Sequence, residues 1–249
     1  TITDGLTSFA SMDGVSLGAD ATNGRINYSP YTYINWFFKR APSFMDVVCY
    51  TGTGSATTFS HNLGAVPELM IVKSRSRSAE NWPTYAAPVF VPGAGYTVGR
   101  LNDSIDFQLN NALFNNARPT ASVFSVGTDT SVNFSGSTYV AYLFATCAGV
   151  SKVGSYTGTG TTKQIDCGFT AGARFVLIKR TDSTGDWYVY DSARGITSGN
   201  DPYLFLNSSA AEVTNTNYVD TDSTGFKVTA AAPAGLNASG GTYIFLAIA

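Results

Sequence analysis

Acidic residues set close together are the first place to look for chemistry in this chain. Asp103 with Asp106, Asp182 with Asp186, and Asp220 with Asp222 form three such pairs. Two carboxylates flanking a glycosidic bond can serve as general acid and as base or nucleophile. All three pairs lie in turn-rich polar stretches, where Asp commonly bonds its own backbone. Only the Asp186 slot recurs at a matching place, and there it is Asn81, which cannot act as an acid. The same aspartates lack the ligand density of a calcium loop. His61 is the sole histidine, with no spaced partner for zinc and no G-x-S-x-G elbow to serve. Its expected role is to cap a turn. Cys49, Cys147 and Cys167 are too few and odd in number for a disulfide framework. Cys49 and Cys147 sit in apolar, strand-like runs and are expected to be small buried thiols. The reading is therefore a non-enzyme, with no catalytic residue, no metal and no cofactor.

Aromatic residues offer a different kind of site. Trp82, Tyr85, Trp187, Tyr188 and Tyr190 follow an apolar strand in turn-bounded segments. An exposed Trp or Tyr stacks on a sugar ring, so these five are the candidate ligand-binding residues. The alternative is that the two Trp residues plug one end of a core, since the Trp recurs.

The recurrence runs through most of the chain. Asn27-x-Ser29-x-x-Thr32-Tyr33, Asn133-x-Ser135-x-x-Thr138-Tyr139 and Asn237-x-Ser239-x-x-Thr242-Tyr243 each precede an apolar run. Their Tyr residues are 106 and 104 positions apart. Tyr50-Thr-Gly-Thr-Gly54 matches Tyr156-Thr-Gly-Thr-Gly160, Leu69–Lys73 matches Phe175–Lys179, and Asn81-Trp82 matches Asp186-Trp187. Ordered landmarks at one spacing mean internal duplication. Residues 1–43 read as the closing part of a first repeat plus a linker, 44–149 as a second repeat and 150–249 as a third. Residues 1–43 lack the opening of a unit, which is expected if the chain is the distal end of something longer.

Val, Ile, Thr, Tyr and Phe cluster in runs of four to eight bounded by Gly, Asn, Ser and Asp, which is strand patterning. No long 3.6-residue period occurs; a single helical turn at 207–212 is the one helical expectation. The fold class is all-β, as tandem jelly-roll-like β-sandwich repeats of about 100 residues. Leu69–Val72 and Phe175–Ile178 are apolar on both faces and should be central strands. Lys73 and Lys179 should run their stems along the core rim. The Thr-Gly-Thr-Gly runs suit a tight bend or bulge. Asn-x-Ser is also a glycosylation acceptor, but its match to a turn in each unit points to backbone hydrogen bonding. Pro83 is expected to interrupt the strand after Trp82. The repeats diverge most around 89–118 and 191–218, and variable loops on a constant scaffold are where recognition is expected.

Charged residues are 13% of the chain, about half the usual share, so Ser, Thr, Asn and Gly must solvate the surface. Such a surface suits an extracellular or virion protein. The net charge of −2 shows no basic stripe, which argues against nucleic acid as a partner. No apolar run approaches the ~20 residues of a membrane-spanning helix, so no membrane insertion is expected.

Taken together, His61–Lys73, Asn81–Tyr85, Asn133–Ala145 and Ile178–Asp191 resemble the repeated C-terminal modules of tail-fibre and other virion appendage proteins of tailed bacteriophages, especially marine ones. Asn200–Asn207 shares that likeness, which extends over essentially the whole chain. The resemblance implies a structural, non-enzymatic virion component. The leading expectation is an adhesive tail-fibre or tail-tip module. It would form a homotrimer, contact other virion proteins and bind a host-surface glycan or protein receptor. The alternatives are a capsid decoration or head-fibre protein without receptor role, and a glycan-depolymerising tailspike.

Overall fold

The computed structural model describes residues 6–8, 14–19, 26–89 and 97–249. Most of the first partial repeat before residue 26, and residues 90–96 of the first divergent loop, lie outside these. The chain forms two compact units, Thr1–Lys39 and Arg40–Ala249. The second and third repeats therefore pack as one body.

In the first unit, β1 (Leu6–Ser8) pairs antiparallel with β2 (Ser16–Leu17). Asn27 donates its side-chain amide to Gly18 O (2.6 Å), and the Tyr33 hydroxyl accepts the Tyr28 N–H (2.9 Å). The apolar run that follows, residues 31–40, forms no strand, contrary to expectation. The described residues of 1–39 hold no counterpart of the two strands that flank this run in a full repeat, and a strand without neighbours has no ladder to join.

The second repeat runs through β3 (Met45–Thr51), β4 (Thr57–Ser60), β5 (Leu69–Ser74), β6 (Pro83–Ala86), β7 (Thr97–Arg100), β8 (Gln108–Leu109), β9 (Val123–Val126) and β10 (Thr138–Phe144). The third contains β11 (Ser151–Thr157), β12 (Lys163–Asp166), β13 (Phe175–Arg180), β14 (Trp187–Asp191), β15 (Leu204–Phe205), β16 (Val219–Asp222), β17 (Gly225–Val228) and β18 (Thr242–Ile248). The large sheets have matching strand orders, β3-β10-β5-β6-β7 and β11-β18-β13-β14-β15, with β8 extending the former. A small second layer faces each, β4-β9 in one and β12-β17-β16 in the other. The chain is thus all-β, and each core lies between two layers. Met70, Val72, Tyr139 and Leu143 of one sheet pack with Phe124 and Val126 of the other; Val176, Ile178, Tyr243 and Phe245 pack with Phe226 and Val228. β5 and β13 are interior strands, as their two-sided apolar character requires. Pro83 begins β6 rather than interrupting it, a position where its missing N–H costs no ladder bond.

One buried polar device closes each full repeat. Single helical turns α1 (Thr130–Asn133) and α2 (Ala234–Asn237) end on the landmark Asn. Asn133 accepts the Thr53 N–H (2.8 Å) and donates to Ser55 O (2.7 Å) and Gly127 O (2.6 Å). Asn237 accepts the Thr159 N–H (3.0 Å) and donates to Thr161 O (2.8 Å) and Thr229 O (2.9 Å). Both Asn residues are buried, so their role is to staple three backbone segments rather than to carry a glycan. The Tyr139 hydroxyl accepts the Phe134 N–H (2.8 Å) and donates to Thr130 O (2.7 Å); Tyr243 does the same with Ala238 N–H (2.8 Å) and Ala234 O (2.7 Å). The first Gly of each Thr-Gly-Thr-Gly run lets two backbones touch. A Cβ on Gly52 would lie 2.3 Å from Phe134 O, and one on Gly158 2.3 Å from Ala238 O. The expected helical turn at 207–212 is absent, because Asn207 is committed to anchoring β14 instead.

Candidate functional site

The turn joining the central strand to the Trp-bearing strand builds the same corner in both repeats. In the third, Lys179 near the end of β13 reaches Gly185 O (2.5 Å) across the turn. In the second, Lys73 reaches Glu80 O (2.7 Å) and lies 5.5 Å from the Trp82 ring centre. The strand after the turn is pinned in the same way. Asn102 accepts the Trp82 N–H (2.8 Å), and Asn207 accepts the Trp187 N–H (2.8 Å). Their side-chain amides continue to Asn81 (3.0 Å) and Asp186 (2.7 Å).

The corners differ in what covers them. Residues 100–107 of the second repeat lie across the corner of the third. Trp187 Nε1 donates to Arg100 O (2.8 Å), and Lys179 Nζ donates to Ser104 O (3.0 Å). Gly185 N–H donates to Ser104 O (2.8 Å) and Phe107 N–H to Thr181 O (3.1 Å), while the Phe107 and Trp187 rings stand 6.2 Å apart. Lys179 is 0% exposed and Trp187 1%. Lys179 is therefore wholly buried instead of lying along a rim. Burial lowers its pKa to about 8 against the opposing pull of Asp186, Asp106 and Asp103. This half of the divergent 89–118 loop couples the two repeats and is not free for recognition. The open corner of the second repeat leaves Lys73 and Trp82 half-buried.

Four of the five candidate stacking residues are core. Tyr85, Trp187, Tyr188 and Tyr190 are buried, so their rings are not presented to a ligand. The packing role follows from β6 and β14, which lie inside the large sheets and are buried along their whole length. Trp82 alone keeps an accessible face. A cleft of about 530 Å³ lies between the repeats, walled by Val89, Phe107, Tyr156, Asp182 and Tyr243 among others. Asp182 in it is held by Arg180 (2.9 and 3.2 Å) and the Thr242 N–H (3.1 Å). The Arg180 hydrogen bond keeps its carboxyl below the usual range despite partial burial.

Most of the other aspartates of the sequence pairs are also engaged locally, but Asp220 Oδ1 is buried with no hydrogen-bond partner among the described residues. Asp103 caps Ile105 N–H (3.1 Å), Asp106 accepts from Gln108 (3.2 Å), and Asp222 bonds Thr224 and Lys227. Among the described residues, the carboxyl with a raised pKa is Asp201, which the sequence pairs did not include. Burial and the nearby Asp220 push it up to about 6 while backbone N–H groups of Val219, Thr197 and Tyr218 pull it down. It is 0% exposed and ties the loop to β16. His61 is buried and fixes a turn, accepting the Leu63 N–H at Nδ1 (3.2 Å) with Nε2 3.1 Å from Thr120 O. Cys167 is buried, and burial lifts its thiol to about 12. Cys49 is exposed and Cys147 half-buried, which corrects the expectation of buried thiols. Cys49 lies on the outer face of β3, an edge strand paired only with β10. Among the described residues no cluster of His, Cys, Asp or Glu could hold a metal ion, and no helix is long and apolar enough to cross a membrane.

No curated protein and no solved structure matches the chain. A family model described as a domain of unknown function, DUF7483, matches residues 1–249. The chain, over its whole length, therefore belongs to the DUF7483 family.

Proposed function

We propose that this chain is a structural and adhesive module of a tailed-bacteriophage tail fibre or tail tip. In this reading it is a trimeric virion appendage that meets a host-surface glycan or protein receptor outside the cell. The observation that carries the reading is the contrast between scaffold and loops. Two repeats share strand order, the Asn and Tyr staples and the Trp corner. The loops after the Trp strand diverge: one is spent on coupling the repeats, while in the third repeat residues 197–200 and 208–212 remain exposed. A constant scaffold that carries exposed, divergent loops suits adhesion. The sparse charge of the chain and its likeness to appendage modules point the same way.

The test is binding of the purified chain to whole cells and purified surface polysaccharides of candidate hosts. Saturable binding is expected, with loss when the exposed residues 197–200 are replaced by a Gly-Ser segment of equal length. Absence of binding to any host surface, with virion imaging that locates the chain on the capsid, would replace this reading with a decoration role.

A further inference from the structure

The interface between the second and third repeats has an acceptor and a donor. The acceptor is the Lys179–Trp187 corner; the donor is the strand end and loop 100–107. What the donor offers is mostly backbone: the carbonyls of Arg100 and Ser104 and the N–H of Phe107. A different sequence with the same backbone path can therefore play the same part.

Each end of the 40–249 unit carries one half of this interface that no described residue of that unit occupies. The acceptor half is the Lys73–Trp82 corner. It repeats the lysine-to-carbonyl bond across the turn, but Trp82 is half-buried and its indole N–H donates to no described residue. The donor half is Phe205–Glu212. Leu206 N–H donates to Trp187 O (3.0 Å) as Leu101 N–H donates to Trp82 O (2.9 Å), and Asn207 repeats every bond of Asn102. The loop therefore leaves its strand on the same path, and residues 208–212 are exposed.

We propose that a second copy of this chain seats its 205–212 loop on the Lys73–Trp82 corner, joining copies head to tail. Charge supports this occupant. In the internal interface Phe107 lies against Thr181. Arg75 is the counterpart of Thr181, since each donates its N–H to the residue opening the closing strand, Thr138 (2.7 Å) or Thr242 (2.9 Å). Five residues beyond the Asn anchor, Glu212 takes the place of Phe107. Where the internal contact sets Phe on Thr, the contact between copies sets Glu212 on exposed Arg75. Glu212 lies 3.7 Å from the mostly buried Arg194 of its own loop and remains exposed beside it. Such a contact is heterologous, so it builds a ring if the rotation closes and a filament if it does not.

Sedimentation velocity of the full 249-residue chain reads this directly. Association that grows with concentration below about 100 µM is expected. Trp82→Ala should weaken it by roughly thirtyfold, the loss typical of a buried interface Trp. Glu212→Arg or Arg75→Glu alone should weaken it roughly fivefold, and the double variant should restore it. The internal interface uses none of these three side chains, and circular dichroism checks that each variant keeps its fold. A monomer at every concentration would overturn the proposal, as would association indifferent to Trp82→Ala or a double reversal that fails to rescue.

Discussion

Ser43 and Gly149 occupy matching turns, 106 residues apart, each leading into the first strand of a repeat. Both backbones are left-handed, with φ of 59° at Ser43 and 72° at Gly149. An L-residue there carries about 1–2 kcal/mol of steric cost, which Gly escapes while losing more chain entropy on folding. Ser43→Gly should accordingly stabilise the chain by about 0.5–1 kcal/mol, and Gly149→Ser should destabilise it by a similar amount. Urea unfolding monitors both, and an unchanged m-value would place the effect on stability alone. The repeat thus contains its own control, since one copy already carries the residue that the conformation favours.

At the scale of elements, the closing turn and strand depend on the Tyr hydroxyl. Tyr139 and Tyr243 are fully buried, and each hydroxyl serves one backbone N–H and one carbonyl. Removing it strands both partners away from water, so Tyr139→Phe and Tyr243→Phe should each cost about 1–3 kcal/mol. Tyr33 makes the matching bond to Tyr28 but is 39% exposed, so water can replace it. Tyr33→Phe should change stability by less than about 0.5 kcal/mol, and thermal melts of the three variants give the comparison. These elements also show what sequence could disclose. The duplication was legible in the repeated landmarks and the interior place of β5 and β13 in their two-sided apolar runs, whereas the strand order came only with the structure. The helical turns α1 and α2 did not, because four residues are too few to show a 3.6 period. Cys49 was misjudged because an apolar run does not reveal that its strand sits at a sheet edge. Burial of the aromatic candidates was foreshadowed for Trp187 by its recurrence. What no local pattern revealed was the loop that covers Trp187, since its contacts are backbone carbonyls from 87 residues away.

At the scale of the whole molecule, the coupling of the repeats turns on a buried lysine. Lys179 joins Ser104 of one repeat to Gly185 of the other, and burial holds its folded pKa at about 8, below the ordinary lysine value of 10.5. Because the folded value is the lower one, the unfolded chain holds this proton more tightly between those two limits. Stability should then rise with pH across that window and fall as pH drops through 8. The neutral amine still donates to both carbonyls, so losing the charge relieves desolvation without breaking the contact. Between pH 7.5 and 9.5 the gain from this one group is about 2 kcal/mol. Above that range, burial raises the pKa of Tyr156 and Tyr190, so the unfolded chain ionises first and the trend reverses. Lys179→Met is less stable at neutral pH if the stranded Ser104 and Gly185 carbonyls outweigh the lost charge, so the slope rather than the level is decisive. Urea midpoints measured at pH 7.5, 8.5 and 9.5 should follow a more positive slope for the natural chain than for Lys179→Met, in which the unfolded Cys167 thiol ionises first and stability declines with pH. Parallel slopes would mean that the lysine keeps its ordinary pKa, with the 100–107 loop admitting water to the joint. The same loop then would not be the dry cover of the Lys179 corner that its contacts with Trp187 and Gly185 describe.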